Sequence, residues 1–185
     1  MRTSTIGRDY ELPRLLEHCI GGPMILKSKQ FSRTGVIQCR ATIEEVFPLL
    51  CPKREIEWIP GWECETIWSK SGYNEEGAIF RTTRPYGTEL FWNTLQYDIN
   101  NKIVDFLILA PHLYVFRFKI KIDAVSEGLL ALTFTQSFTS VSEKGNSFLK
   151  RYEGEDFKSR LKSLEEFLNR HIEEKRKIEG RTSPV

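Results

Sequence analysis

Tyr114-Val115-Phe116-Arg117-Phe118-Lys119-Ile120-Lys121-Ile122 decides the fold. Every even-numbered position is apolar, and three of the four odd ones are basic. Successive side chains of a β-strand point to opposite faces, so this strand has one buried and one wet face. The next run, Leu129–Ser140, repeats the pattern. Leu130, Leu132, Phe134 and Phe138 share the apolar parity, and Thr133, Thr135, Ser137 and Thr139 oppose them. Glu127-Gly128 between the two runs is a turn signal, so they form an antiparallel hairpin.

Strand-like runs precede this hairpin at Trp62–Ser69, Ala78–Thr83, Thr88–Asp98 and Lys102–Leu109, and the hairpin's own first strand spans His112–Ala124. Their separators are turn-formers: Ser71-Gly72-Tyr73-Asn74, Pro85-Tyr86-Gly87, Asn100-Asn101 and Ala110-Pro111. Short links between consecutive strands predict an antiparallel meander. A first strand is predicted from Gln30 to near Arg40, with Phe31, Gly35, Ile37 and Cys39 on one parity. Thr42-Ile43-Glu44-Glu45 reads as a capping box, and Pro48 and Pro52 keep the helix it opens short. A second turn is predicted over Lys53–Trp58. Beyond Ser142 the period changes: Phe157, Leu161, Leu164, Leu168 and Ile172 fall on one stripe of a long helix. Phe148 and Tyr152 extend that stripe backwards, with Gly154 as its weak point.

The order is strand, two short helices, six strands, long helix. A meander with one apolar face must cover it, and the C-terminal helix is the large candidate. The predicted class is α+β: a curved antiparallel sheet of about seven strands around that helix. A curved sheet around one helix leaves interior space, and concave apolar spaces are the default ligand sites.

This order, with Cys51-Pro-Lys-Arg-Glu-Ile-Glu-Trp-Ile-Pro-Gly-Trp-Glu-Cys64, resembles the START-like or SRPBCC superfamily. The resemblance covers about residues 30–175, and it is closest to bacterial members of unassigned function. It implies the helix-grip fold shared by the major birch pollen allergen, polyketide cyclases and lipid-transfer domains. It also implies binding of hydrophobic small molecules, with catalysis in a minority of members. The superfamily has no universal catalytic motif, so it assigns no catalytic residue here.

Residues 1–29 read as a partly ordered extension, 30–177 as the ligand-binding domain and 178–185 as a frayed tail. The 185 residues suit one domain, with 40% apolar and 28% charged residues. A net charge of +2, with the two signs interspersed, gives no field that would attract nucleic acid. No run of about 18 apolar residues is present, and Arg8, Asp9, Glu11, Arg14 and Glu17 interrupt the N-terminus. These features predict a cytoplasmic protein without integral membrane association. Cys19, Cys39, Cys51 and Cys64 form no C-x-x-C pair and are read as reduced thiols.

Trp58, Trp62, Phe80, Trp92, Phe106, Tyr114, Phe116, Phe134 and Phe138 are predicted to line the pocket, with core packing as the plainer reading. Gln136 on the inward parity of its strand, and Thr94 and Gln96 beside Leu90 and Trp92, either orient a ligand or bond to one another or to ordered water. His112 at a hairpin mouth is a general acid/base candidate, and Glu57 and Glu63 near the helix-to-strand corner are two more. Asp105 is expected to face solvent. Gly145-Asn146 reads as punctuation. No His/Cys/Asp/Glu spacing suggests a metal, and no phosphate or nucleotide motif is present, so no cofactor is expected. The leading reading is a carrier of a lipid-like or polycyclic molecule. A cyclase or dehydratase acting in the same pocket, and a module binding a protein partner, remain as alternatives.

Overall fold

The computed structural model describes residues 26–83 and 88–182. Seven antiparallel strands follow the order β1–β7–β6–β5–β4–β3–β2. They are β1 (Gln30–Cys39), β2 (Cys64–Trp68), β3 (Ile79–Thr83), β4 (Glu89–Asp98), β5 (Ile103–Ala110), β6 (Tyr114–Ser126) and β7 (Leu129–Ser140). The short helix α1 (Ile43–Val46) and two 3-10 turns, Phe47–Leu49 and Glu55–Glu57, connect β1 to β2. Two C-terminal helices follow, α2 (Glu143–Glu153) and α3 (Phe157–Thr182). The predicted class therefore holds, and residues 1–25 of the extension expected over 1–29 lie outside the described residues.

The strand parities persist in the ladder: Phe116, Phe118, Ile120 and Ile122 face inward opposite Phe138, Gln136, Phe134 and Leu132. Parity slips in β4. Thr94 pairs with Phe106 but Gln96 pairs with Asp105, which leaves Leu95 as the extra residue of a bulge. Gln96 thereby moves to the outer face, and Tyr97 turns inward to pack against Phe47 with the ring centroids 4.6 Å apart. Asp105 also differs from expectation. It lies on the outer face yet is only 1% exposed, because Arg117 on β6 covers it and grips it bidentately.

Gly154 does break the C-terminal stripe, as its position suggests. Asp156 restarts the helix by accepting from the Ser159 backbone N–H at 3.0 Å. α3 continues through Thr182 where a frayed tail was expected, and a Lys175–Glu179 pair one turn apart runs along that stretch. Gly35 on β1 lets α3 approach closely, since a Cβ there would overlap the Leu161 side chain.

Helix side chains also close the free edge of β1. Glu165 accepts from the Gln38 N–H at 2.6 Å, and Asn169 bonds both the Arg40 N–H and the Gln38 carbonyl. These contacts protect an edge strand that would otherwise offer unpaired backbone groups. Arg176 reaches from α3 to Glu45, whose carboxylate also accepts from the Thr42 N–H at 2.8 Å. The Arg176 hydrogen bond is the main reason the Glu45 carboxyl is pulled down to about 2. Its contribution is complete above the ordinary carboxylate range and is lost as pH falls through the folded value. Arg176→Ala should cost about 1 kcal/mol near pH 7, after allowance for partial exposure, and much less near pH 2. Urea unfolding at the two pH values measures this, and an equal loss at both would contradict it.

Candidate ligand cavity

Between the concave sheet and α3 lies a cavity of about 460 Å³. Its sheet wall is Leu90, Trp92, Phe116, Phe118, Ile120 and Phe134. α3 contributes Leu164 and Phe167, and the segment after α1 contributes Leu50, Glu55, Trp58, Ile59 and Trp62. The exposed residues Pro60, Gly61, Glu63, Thr83, Arg160 and Ser163 form its rim. This volume suits one drug-sized molecule, and the mixture of apolar wall and few polar groups is typical of small-molecule sites.

The cavity exists because the aromatic side chains divide into two groups. Toward α2 they interlock: Phe116 stacks on Phe138 at 4.6 Å, Tyr114 on Phe148 at 5.2 Å, and Phe138 meets Tyr152 at 5.3 Å. The break at Gly154 lets α2 lie over this end and fill it. Toward the β2 edge, α3 stands off the sheet and the rings form walls. Trp92 is central there, meeting Trp62 edge-on at 5.9 Å and Phe106 at 5.4 Å.

Of the residues read from the sequence as ligand-binding, Trp58, Trp62, Trp92, Phe116, Phe134 and Gln136 line the cavity. Phe80 and Phe106 are fully buried outside its lining, and Tyr114 and Phe138 belong to the filled end. Thr94 donates to Asn74 at 2.6 Å, away from the cavity, and Gln96 is on the outer face. His112 sits exposed at the β5–β6 turn with a φ of 61°, its carbonyl accepting from Ser142. Glu57 is paired with Arg54 at 2.7 Å, which holds its carboxyl below the usual range, in a separate groove beside His171. Glu63 stands on the rim. The Pro85–Gly87 segment, read as a turn between strands, lies outside the described residues.

Most polar groups in the wall are already engaged. The indole N–H groups donate to the Leu49 carbonyl (Trp58), the Pro52 carbonyl (Trp62) and the Thr82 hydroxyl (Trp92). Gln136 accepts from Arg33 Nε at 2.9 Å. Arg33 was missed in the sequence reading, although the β1 parity places it inward. Its guanidinium is enclosed by Phe31, Phe138, Tyr152 and Phe157, with the last two rings 4.5 and 4.3 Å away, and burial lowers its pKa.

The other missed residue is Glu55. It lines the cavity, is 6% exposed and accepts no side-chain hydrogen bond from any described residue. Burial pushes its carboxyl up to about 8. Its spacing of three from Trp58 was the available signal, because a 3-10 turn places such positions on one face. Among the described residues no cluster of three His, Cys, Asp or Glu side chains has a metal-holding arrangement. Cys39, Cys51 and Cys64 are free thiols.

No protein-family model and no curated protein matches the sequence. Solved structures do match. Norcoclaurine synthase from Thalictrum flavum, in complex with dopamine and hydroxybenzaldehyde, has a TM-score of 0.61 at 12% identity over 94% of this chain and 97% of that chain. The Zhui aromatase/cyclase from Streptomyces sp. R1128 gives 0.58 at 12% identity, over 78% and 96%. Ara h 8.0201 gives 0.52 at 12% identity, over 76% and 98%. The chain shares with these structures a curved antiparallel sheet that grips a long C-terminal helix. At these identities the likeness establishes the fold alone.

Proposed function

We propose that the protein binds a hydrophobic small molecule, polycyclic or lipid-like, between Trp92 on the sheet and Phe167 on α3. The cavity carries this reading: a 460 Å³ space walled by aromatic rings and left open at a polar rim. Rigid rings offer large apolar area and lose little conformational freedom when a flat ligand stacks on them. The complex of norcoclaurine synthase with dopamine and hydroxybenzaldehyde supports an aromatic guest for this fold. The wall's hydrogen bonds are made internally, so burial rather than polar recognition would supply most of the affinity. Glutamate, not histidine, is the titratable residue inside the cavity, so the cyclase or dehydratase alternative would rest on Glu55 rather than on His112 or Glu57.

Three tryptophans in the wall provide the assay. Titration with 2-ethylnaphthalene should change their emission saturably, with one site per chain and micromolar-range affinity, roughly what burying a two-ring ligand supports. Emission that changes linearly without saturation would overturn the proposal. Extraction and mass analysis of molecules that co-purify would then identify the natural ligand.

A further inference from the structure

Glu55 is the charged-type side chain buried beyond nine-tenths in the cavity wall, and nothing in the wall explains its presence. A polar group buried without a partner is unfavourable by roughly 1–3 kcal/mol, and an ionised one by more. The surrounding wall makes no hydrogen bond to it among the described residues. All three indole N–H groups are committed elsewhere, and Arg160 on the rim pairs with Glu155 at 2.7 Å. The nearby titratable groups are the Cys51 thiol on its own turn, the Cys64 thiol of β2 with Lys53 beside it, and Glu63 and Arg160 on the rim. Burial raises both thiols, Cys64 to about 12, so they remain neutral and supply no counter-charge.

We propose that Glu55 is a specificity residue of the cavity, its carboxyl O–H donating a hydrogen bond to a carbonyl oxygen on an otherwise apolar aromatic ligand. The inference rests on the cavity reading above and deepens it by naming the ligand's polar group. A carbonyl is the complementary partner, since it accepts without donating and carries no charge to be desolvated. The group retains its proton at neutral pH, because burial holds it near 8. Ionisation above that value removes the donor and sets a carboxylate against the ligand's oxygen.

The test compares 2-acetylnaphthalene with 2-ethylnaphthalene, which have nearly the same shape but differ in the carbonyl. Affinities for full-length protein are measured at about pH 6 and about pH 9.5. The acetyl-to-ethyl affinity ratio should fall about tenfold between them, the equivalent of one hydrogen bond. In Glu55→Gln the amide still donates but does not titrate, so the ratio should be the same at both pH values. A wild-type ratio that is flat, or that rises with pH, overturns the proposal while leaving the cavity reading intact. Binding of neither compound overturns both. The wild-type profile decides the matter even if the variant fails to fold.

Discussion

Replacing Glu55 by glutamine should abolish a loss of stability amounting to roughly 3–5 kcal/mol between pH 4.5 and pH 9. The folded carboxyl, at about 8, lies above its unfolded value because burial disfavours the charge. Between those two values the native state holds a proton that the unfolded chain has released. Stability therefore declines as pH rises through that window, by up to about 1.4 kcal/mol per unit, and levels off above the folded value. Glutamine carries no charge, so its variant lacks this slope, although its amide still bears the penalty of an unpaired buried group. The quantity to measure is the difference between variant and parent in urea unfolding at several pH values. That difference should grow in favour of the variant up to about pH 8 and then hold steady. Parallel curves across the range would show that Glu55 is solvated in the native state.

The second large effect is at Gly145. Ser142 caps α2, accepting from the Gly145 N–H at 3.0 Å and donating to the His112 carbonyl. This places Gly145 directly on the Leu113 carbonyl, and an added Cβ would overlap that oxygen. Leu113 cannot readily move, because its carbonyl accepts from the Val141 N–H at 2.9 Å and the adjacent His112 is held at positive φ. Asn146 adds to the same junction by bonding the Lys29 N–H, the Ser140 hydroxyl and the Lys27 carbonyl. Gly145→Ala should therefore destabilise by about 2–3 kcal/mol, despite alanine's better helix propensity. For a chain of this length that is a fall of roughly 5–10 °C in Tm. Gly180→Ala in α3, where a Cβ meets open space, should change stability by less than about 0.5 kcal/mol. Similar losses at the two glycines in thermal melts would contradict the proposed close contact.

Much of the fold could be read directly because the strands carry a strict two-residue period. Phe116, Phe118, Phe134 and Phe138 announce their inward face without reference to any other element. The stripe from Phe157 to Ile172 does the same for α3. The bulge at Leu95 could not be read, since an extra residue leaves composition unchanged and shows only as a register shift against β5. Gln96 was misplaced for that reason. Asp105 was assigned correctly to the outer face but wrongly to solvent, because the Arg117 that covers it comes from a neighbouring strand.

The site was less legible than the fold. Half of the residues expected in the cavity lie on its wall, because inward parity does not distinguish a filled end from an open one. That distinction depends on where α2 ends and α3 stands off, a tertiary property. Gly145-Asn146 looked like punctuation because the group it accommodates, the Leu113 carbonyl, is 32 residues earlier in the chain. Glu55 was passed over for Glu57 and Glu63, although the three-residue spacing to the buried Trp58 pointed inward. In a segment of 3-10 turns with two prolines, no longer period reinforces such a spacing.

The central claim is that the space between sheet and α3 is a binding site rather than a packing defect. A crystal structure of the protein grown with 2-acetylnaphthalene tests it most directly. The expected result is the naphthalene rings between Trp92, Phe118 and Phe167, with the carbonyl oxygen within hydrogen-bond distance of Glu55. Side chains collapsed into a continuous core, with no ligand density at that position, would contradict it.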